Sequence, residues 1–216
     1  MREIIVRTTK EIEVPVEALH ELLKTAFLQW EEAGLYASVV HSSQQSLSRY
    51  ISDKVVFVAH DAATGELLAM HTFRLNKRKH TASGANLAVT PTAKREGIAT
   101  RMLQAEAKRL SKAGYRYMTE YTAIQAKWSV HWHLKNGYYI TGYKRSENTS
   151  YASYAFRKPI VLDPRHHPMD FFWTYPIAPL TARLHYIASY IITCICKTRN
   201  GQLTPIGKVA KRIVKK

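Results

Sequence analysis

The most informative part of this chain is Leu87-Ala-Val-Thr-Pro-Thr-Ala-Lys-Arg-Glu-Gly-Ile-Ala-Thr-Arg-Met-Leu103. Its apolar start, residues 87–89, is typical of the end of a strand, and Pro91 ends that strand. The basic loop 94–99 contains Gly97 and leads into an amphipathic helix. Backbone N–H groups at the start of a helix are unpaired and lie at the positive end of the helix dipole. The loop therefore predicts a binding site for a phosphate group on a phosphorylated carrier molecule.

The segments around this stretch predict alternating strands and helices. Pro15 opens a helix, because the apolar residues after it, such as Leu19, Leu22 and Ala26, recur at helical intervals. Further helices are predicted at residues 43–51, 97–113 and 129–135, and strands at residues 3–8, 55–59, 67–75, 87–89, 115–123, 138–145 and 150–157. The order β-α-α-β-β-β-α-β-α-β-β indicates an α/β (α+β mixed) fold, with helices on both faces of a mixed, mostly antiparallel sheet.

Length and composition bound the domain organisation. A chain of 216 residues, 46% of them hydrophobic, can hold one sizeable domain plus an appendage, or two small domains. The N-terminus lacks the apolar core of a signal peptide, and the two cysteines, Cys194 and Cys196, are too close for a long-loop disulfide. We therefore expect a cytoplasmic protein. Two thiols alone fall short of a zinc site, so no metal is expected.

The C-terminal segment differs from the rest of the chain in charge. The net charge of the chain is +16, and no Asp or Glu follows Asp170. We predict a main domain at residues 1–158, followed at 159–216 by a Pro/His linker and a basic amphipathic helical extension. Residues 182–196 are predicted to form either a helix packed on the main domain or a helix that lies in a membrane interface. Residues 205–216 are predicted either to bind an anionic membrane surface or to form a solvated basic end. The sequence contains no recognition motif for a specific nucleic acid.

The element order and the loop together resemble the acetyl-CoA-dependent N-acetyltransferase (GNAT) superfamily. The phosphate loop of that family reads Arg/Gln-x-x-Gly-x-Gly/Ala, and here it reads Lys94-Arg-Glu-Gly-Ile-Ala99, with lysine in place of the usual first residue. A helix stop at Gly114 and the Gly137-Tyr138 pair strengthen the resemblance, which covers roughly residues 1–158. It implies the acyl-CoA N-acyltransferase fold, with acetyl-CoA as co-substrate.

The resemblance also implies where acetyl-CoA binds. Backbone N–H groups of residues 95–100 would hold the pyrophosphate, and the backbone of residues 87–89 would pair with the pantetheine arm like an added strand. The alternative is an ordinary helix start that binds no ligand. The expected binding residues are Leu87, Ala88, Val89, Lys94, Arg95, Glu96, Gly97, Ile98, Ala99 and Thr100.

The expected catalytic residues depart from the family pattern. The family often has a tyrosine, acting as acid, four residues before its Gly-aromatic pair, and an asparagine seven residues earlier; here these positions hold His133 and Ala126. His133 is our candidate acid, since imidazole titrates in the required range. Glu120 is our candidate base, and His71 is a weaker one. The alternatives are that His133 is a surface histidine and that Glu120 is a salt-bridged or edge-exposed glutamate. Some family members use no side-chain base at all.

These observations lead to one expected function and two alternatives. We expect an acyl-CoA-dependent N-acyltransferase that transfers an acetyl group to the amine of a small molecule, with an amino sugar as one candidate, by direct attack on the thioester. The first alternative is a non-catalytic acyl-CoA-binding or membrane-associated module. The second is a protein or peptide N-acetyltransferase. The sequence leaves the acceptor and the oligomeric state, a homodimer included, undetermined.

Overall fold

The computed structural model describes residues 2–145 and 151–160, and within them the strands and helices follow the predicted order. The strands are β1 (Ile4–Thr8), β2 (Val55–Asp61), β3 (Leu67–Asn76), β4 (Thr81–Val89), β5 (Tyr117–Ala123), β6 (Tyr139–Arg145) and β7 (Ala152–Pro159). The helices are α1 (Val16–Glu32), α2 (Gln44–Ile51), α3 (Ile98–Lys112) and α4 (Lys127–Lys135), and a short 3-10 turn (Pro91–Ala93) precedes α3.

The seven strands form one sheet in the order β1-β2-β3-β4-β5-β7-β6. Every neighbouring pair is antiparallel except β4 and β5, which are parallel. This parallel pair is short, since it runs only from Thr81↔Tyr117 to Ser83↔Thr119. Beyond it, β4 and β5 no longer pair, and a wedge opens between them. The structure confirms the predicted mixed, mostly antiparallel sheet.

Each face of the sheet is covered by two helices, as the sequence predicts. Helix α1 buries Leu19 and Leu23 against Val56 and Val58 of β2, together with Leu47 of α2. The opposite face packs against α3 and α4, where the buried core includes Ile98, Met102, Phe57, Phe73 and Val130. Because side chains alternate between the two faces of a strand, Val56 and Val58 of β2 pack under α1, whereas Phe57 packs under α3 and α4. Full burial of each such side chain contributes about 1.5–3 kcal/mol.

Several element boundaries differ from the sequence prediction, and the largest difference is that β4 begins at Thr81 and not at residue 87. Strand β5 begins at Tyr117 rather than at residue 115, because Tyr115 N–H still donates to the Leu110 carbonyl and Gly114, with φ +86°, ends α3. Helix α4 begins two residues earlier than predicted, at Lys127. Residue 150, the predicted start of the last strand, lies outside the described residues.

The described body continues slightly past residue 158. Strand β7 extends to Pro159, and Ile160 N–H donates to the Arg116 carbonyl at 2.8 Å. The predicted helix at 182–196, the two cysteines and the basic segment 205–216 lie outside the described residues. Among residues 2–145 and 151–160, no helix has both the length and the apolar character needed to span a membrane.

Candidate active site

A cleft of about 350 Å³ occupies the wedge between β4 and β5. A bulge in β4 shapes one wall of the cleft. Met70 faces Ala88 and Thr72 faces Ala85, so β4 carries one residue more than β3 over this interval. Asn86, inside the bulge, adopts the left-handed conformation with φ +57°, which asparagine tolerates better than most residues. The sequence analysis missed this bulge, because the strand it predicted here, residues 87–89, begins just after Asn86.

The expected pantetheine segment lies along this wedge. Within residues 87–89, Ala88 and Val89 pair with β3 on one side, through Met70↔Ala88 and Ala69↔Val89. On the other side, toward β5, no strand among the described residues pairs with β4 beyond Ser83. The main chain of this part of β4 therefore presents an edge to which an extended ligand can bind.

The loop before α3 has the backbone geometry of an anion site. Gly97 caps the helix with φ +74°, and Arg95 is also left-handed, with φ +68°. Within the part of the chain that the structure describes, the N–H groups of residues 95–100 donate no hydrogen bond. These donors lie at the positive end of a 15-residue helix.

The basic side chains near this loop have different partners. Lys94 Nζ donates to Gln29 Oε1 of α1 at 3.0 Å, so it braces the loop against α1. Arg101 donates to the Arg2 carbonyl at 2.6 Å. A groove of about 940 Å³ begins at the loop and runs toward the end of α4, and its wall includes Lys135 and Lys158. Lys94 and Arg101 therefore each have a protein partner beside the loop.

The structure brings the two predicted catalytic residues together. Glu120 of β5 and His133 of α4 both line the cleft, and Glu120 Oε2 lies 3.1 Å from His133 Nε2. His133 Nδ1 donates to the Ser129 carbonyl at 2.7 Å, which fixes the orientation of the ring. The other carboxylate oxygen of Glu120 accepts a hydrogen bond from the Tyr138 hydroxyl. Both side chains are buried, at 5% and 4% exposure.

The neighbours of Glu120 keep it ionised. Burial by itself raises the pKa of this carboxyl, but the nearby His71 charge and the hydrogen bond from His133 outweigh burial and lower the pKa to about 2. The pKa of Tyr138 lies well above its usual value, because the hydroxyl is buried and faces the negative charge of Glu120. Tyr138 therefore stays protonated and serves as a donor.

His71 lies behind Glu120 and not on the cleft surface. It is completely buried in β3, with Nδ1 3.0 Å from Glu106 Oε2 of α3 and Nε2 3.7 Å from Glu120 Oε2. Burial opposes a charged ring, but the two carboxylates on either side raise the pKa of His71. The pKa of Glu106 is raised too, chiefly by burial. A histidine in this position has no access to a ligand in the cleft.

Gly84 makes the approach of His71 to Glu120 possible. A Cβ at this position would lie 2.7 Å from His71 Nε2 and 2.9 Å from Glu120 Cγ, closer than van der Waals contact allows. The sequence analysis singled out neither Gly84 nor Glu106, nor the donor role of Tyr138, because their partners are distant in sequence. Ala126, at the position of the family asparagine, is buried and caps α4 without a side-chain hydrogen bond.

Aromatic and hydroxyl side chains surround the outer part of the cleft. Trp30 lies edge-on to Trp128, with ring centroids 6.0 Å apart, and contacts Phe27 and Tyr151 at 5.5 and 6.5 Å. The hydroxyl groups in the lining belong to Ser38, Tyr121, Thr122, Ser129, Tyr151 and Ser153. Among the described residues, no group of three or more His, Cys, Asp and Glu side chains could hold a metal ion.

Comparisons with known proteins agree with this geometry. A model of the acetyltransferase (GNAT) family matches residues 16–138, which is more than half of the chain. No curated protein matches the chain in sequence.

Several solved structures share the fold. One is the ribosomal-protein-S18-alanine N-acetyltransferase from Escherichia coli (TM-score 0.58, 14% identity, covering 76% of this chain and 96% of that one). Another is the PaiA N-acetyltransferase from Thermoplasma acidophilum in complex with coenzyme A (TM-score 0.56, 17% identity, covering 73% of this chain and 99% of that one). A third is an IAA acetyltransferase from Bacillus cereus ATCC 14579 (TM-score 0.53, 16% identity, covering 73% of this chain and 99% of that one). At these identities the likeness shows the fold alone.

Proposed function

Because this chain belongs to the acetyltransferase (GNAT) family and is an N-acetyltransferase, we propose that it transfers the acetyl group of acetyl-CoA to the amine of a small molecule. Family membership sets aside the non-catalytic module considered from the sequence. The observation that carries the proposal is the hydrogen bond between Glu120 and His133 at the bottom of the cleft, 3.1 Å long. It supports an acid–base role for these two side chains, which lie where β4 and β5 separate.

The donor is held by the main chain in this proposal. The N–H groups of residues 95–100 donate to the pyrophosphate, and Gly97 allows the backbone to approach closely. The groove beside α3, with Lys135 and Lys158, accommodates the rest of the nucleotide. The free edge of β4 at residues 87–89 holds the pantetheine arm, which directs the thioester into the cleft.

The chemistry needs two protons to leave a cationic amine, one before the nitrogen attacks and one as the C–N bond forms, and it needs one proton to reach the sulfur. Acetyl-CoA supplies the thioester: the nitrogen lone pair forms the C–N bond, and the C–S bond breaks with its electron pair remaining on sulfur. Glu120, held ionised, attracts the cationic amine, which first releases one proton to water and so frees its lone pair. Glu120 then accepts the second proton from the nitrogen as the C–N bond forms. His133 provides the proton for the sulfur and regains one from Glu120 through their hydrogen bond. Such general acid–base catalysis contributes about 10²–10⁴-fold to the rate.

The lining of the cleft favours a small polar ring as the body of the acceptor. A volume of about 350 Å³ suits a small molecule. Trp30 and Tyr151 offer flat apolar surfaces, and the surrounding hydroxyls from Ser38, Thr122 and Ser153 can bind hydroxyl groups of a ligand. An amino sugar presents this combination of an apolar ring face, hydroxyl groups and an amine.

The test is an acceptor panel with acetyl-CoA as donor. Amino sugars, polyamines, arylamines and a peptide with a free N-terminus and a lysine are incubated with the enzyme, and free thiol release and acetylated products are measured. We expect release with amino sugars that exceeds release with the peptide. Release with the peptide alone would overturn the small-molecule proposal in favour of a protein or peptide acceptor.

A further inference from the structure

Two buried histidines flank Glu120, and the mechanism above uses only one of them. His133 reaches the carboxylate from α4 and lines the cleft, whereas His71 reaches it from β3 without contacting the cleft. Behind His71 stands Glu106, which is also completely buried. Buried ionisable groups are costly unless they are paired, so a pair of them directly behind a candidate base calls for an explanation.

We propose that His71 and Glu106 are positioning residues that hold a positive charge behind Glu120 and thereby keep this carboxylate ionised and oriented toward the cleft. The inference rests on the proposed role of Glu120 as the base. It adds a second pair of residues to the site, neither of which touches a substrate.

The hydrogen-bond geometry fixes the His71 ring. Nδ1 lies 3.0 Å from Glu106 Oε2, and a carboxylate can only accept, so Nδ1 carries a proton. Nε2 then points at Glu120, 3.7 Å from Oε2, and it has no hydrogen-bond partner among the described residues. Because the carboxylates of Glu106 and Glu120 stand on either side of the ring and favour its charged form, we infer that Nε2 carries a proton too, which faces Glu120 slightly beyond hydrogen-bond distance.

Gly84 keeps this distance short. The contacts of 2.7 and 2.9 Å that its Cβ would make with His71 Nε2 and Glu120 Cγ show that the two side chains converge on the space that glycine leaves free. In the buried interior a charge at this separation acts more strongly than it does in water.

The charged and titratable groups around Glu120 balance each other. His71 of β3 and His133 of α4 stand opposite the carboxylates of Glu120 and Glu106. Tyr138 donates from the segment before β6, and Lys158 of β7 lies 5.9 Å from the Tyr138 ring. Removal of the His71 charge therefore leaves Glu120 with His133 as its one directly contacting partner that can carry a positive charge, within the part of the chain that the structure describes.

The first experiment measures the Glu120 carboxyl directly, with no substrate present. Carboxyl ¹³C NMR titration follows Glu120, whose signal is assigned by its loss in E120Q. In H71N we expect this titration to move up by about one to three pH units, because an opposite charge within about 4–6 Å is lost. The acidic limb of the kcat/KM profile should move in the same direction. H60N, at a partly buried histidine of β2 outside this cluster, is the matched control and should move neither.

The second experiment tests whether Glu106 favours the charged form of His71. In E106Q the ring of His71 loses the carboxylate that favours its charge, so its imidazole NMR titration should move to lower pH. E21Q, at an exposed position of α1, is the control. This variant keeps His71 in place, so it tests the proposal even where H71N does not fold.

Two outcomes would overturn the inference. One is an unchanged Glu120 titration in a folded H71N, even if activity falls, since a merely structural histidine would give that result. The other is an unchanged His71 titration in E106Q. A wild-type enzyme that releases no thiol with any amine contradicts the proposed function instead, because the NMR titrations need no turnover.

Discussion

His133 is held between the Glu120 carboxylate and the Ser129 carbonyl, with its two ring nitrogens 3.1 and 2.7 Å from these acceptors. The ring therefore cannot turn without losing both hydrogen bonds. The ring can exchange a proton with Glu120, and, because His133 lines the cleft, also with a ligand bound there. The acid–base role proposed for this pair has measurable consequences.

Substitution of the carboxylate tests the base. E120Q keeps the shape of the side chain and removes its charge, so kcat should fall by about 10²–10⁴-fold while coenzyme A binds as before. Steady-state thiol release and calorimetric titration with coenzyme A measure the two quantities. E21Q on the exposed side of α1 should retain full activity. Equal activity of both variants would exclude Glu120 as the base.

Substitution of the ring tests the acid. H133N should lower kcat by roughly 10²-fold or more and leave the KM for acetyl-CoA almost unchanged. Since the two residues share one proton path, the E120Q/H133N double variant should lose less activity than the product of the single losses. His131 is exposed on the same helix, so H131N is the matched control. A double variant whose activity loss equals the product of the two single losses would show that Glu120 and His133 act separately.

Alanine substitution at two glycines with the same φ distinguishes an effect on coenzyme A binding from an effect on stability. Gly97 and Gly65 both have φ +74°, and a Cβ at either position meets nothing within 4 Å. Alanine in this conformation costs roughly 1–2 kcal/mol at both sites. The loop of G97A relaxes in the free protein and must be restored on binding, so its coenzyme A affinity should fall about ten-fold. G65A, in the turn between β2 and β3, should melt at a lower temperature and bind normally.

The aromatic wall of the cleft should affect the acceptor and not the donor. W30A removes the ring that contacts Phe27, Trp128 and Tyr151, so the KM for the amine should rise several-fold while coenzyme A affinity stays constant. Leu28 is exposed on the same helix, and L28A serves as the control. A loss of coenzyme A binding in W30A would place Trp30 on the donor side instead.

Acid should destabilise the protein through Glu120. Its pKa in the folded state, about 2, lies below the ordinary value of 4.5. A depressed carboxyl pKa gives stability that is fully present above the unfolded value and is lost as pH falls from about 4.5 toward 2. Thermal melts across this range should therefore show a steeper acid loss for the wild type than for E120Q. Parallel curves would show that the charge on Glu120 does not support the fold.

The sequence predicts the parts of this molecule that are local in the chain. Helix periodicity after Pro15 and the glycine at the start of α3 depend on neighbouring residues, and the structure confirms the element order built from such signals. Glu120 and His133 were also identified, because both stand at positions where the family pattern is broken.

The remaining parts depend on contacts between distant segments. Glu106 reaches His71 across 35 residues of chain, and neither side chain shows a local pattern that indicates the other. The bulge at Asn86 shifts the register of β4 against β3 by one residue, and register is a property of two strands together. Packing alone brings these groups to one place, so periodicity and motif spacing could not reveal them.

The three residue pairs that join β4 to β5 have one more consequence. They are the only strand pairing, among the described residues, between the part of the sheet formed by β1–β4 and the part formed by β5–β7. A donor molecule lying in the wedge braces these two halves against each other, and a ligand at a hundred times its dissociation constant adds about 2.7 kcal/mol to the free energy of unfolding. We therefore expect the lifetime of this enzyme in a cell to follow the supply of its own acetyl donor, with starved cells degrading it faster.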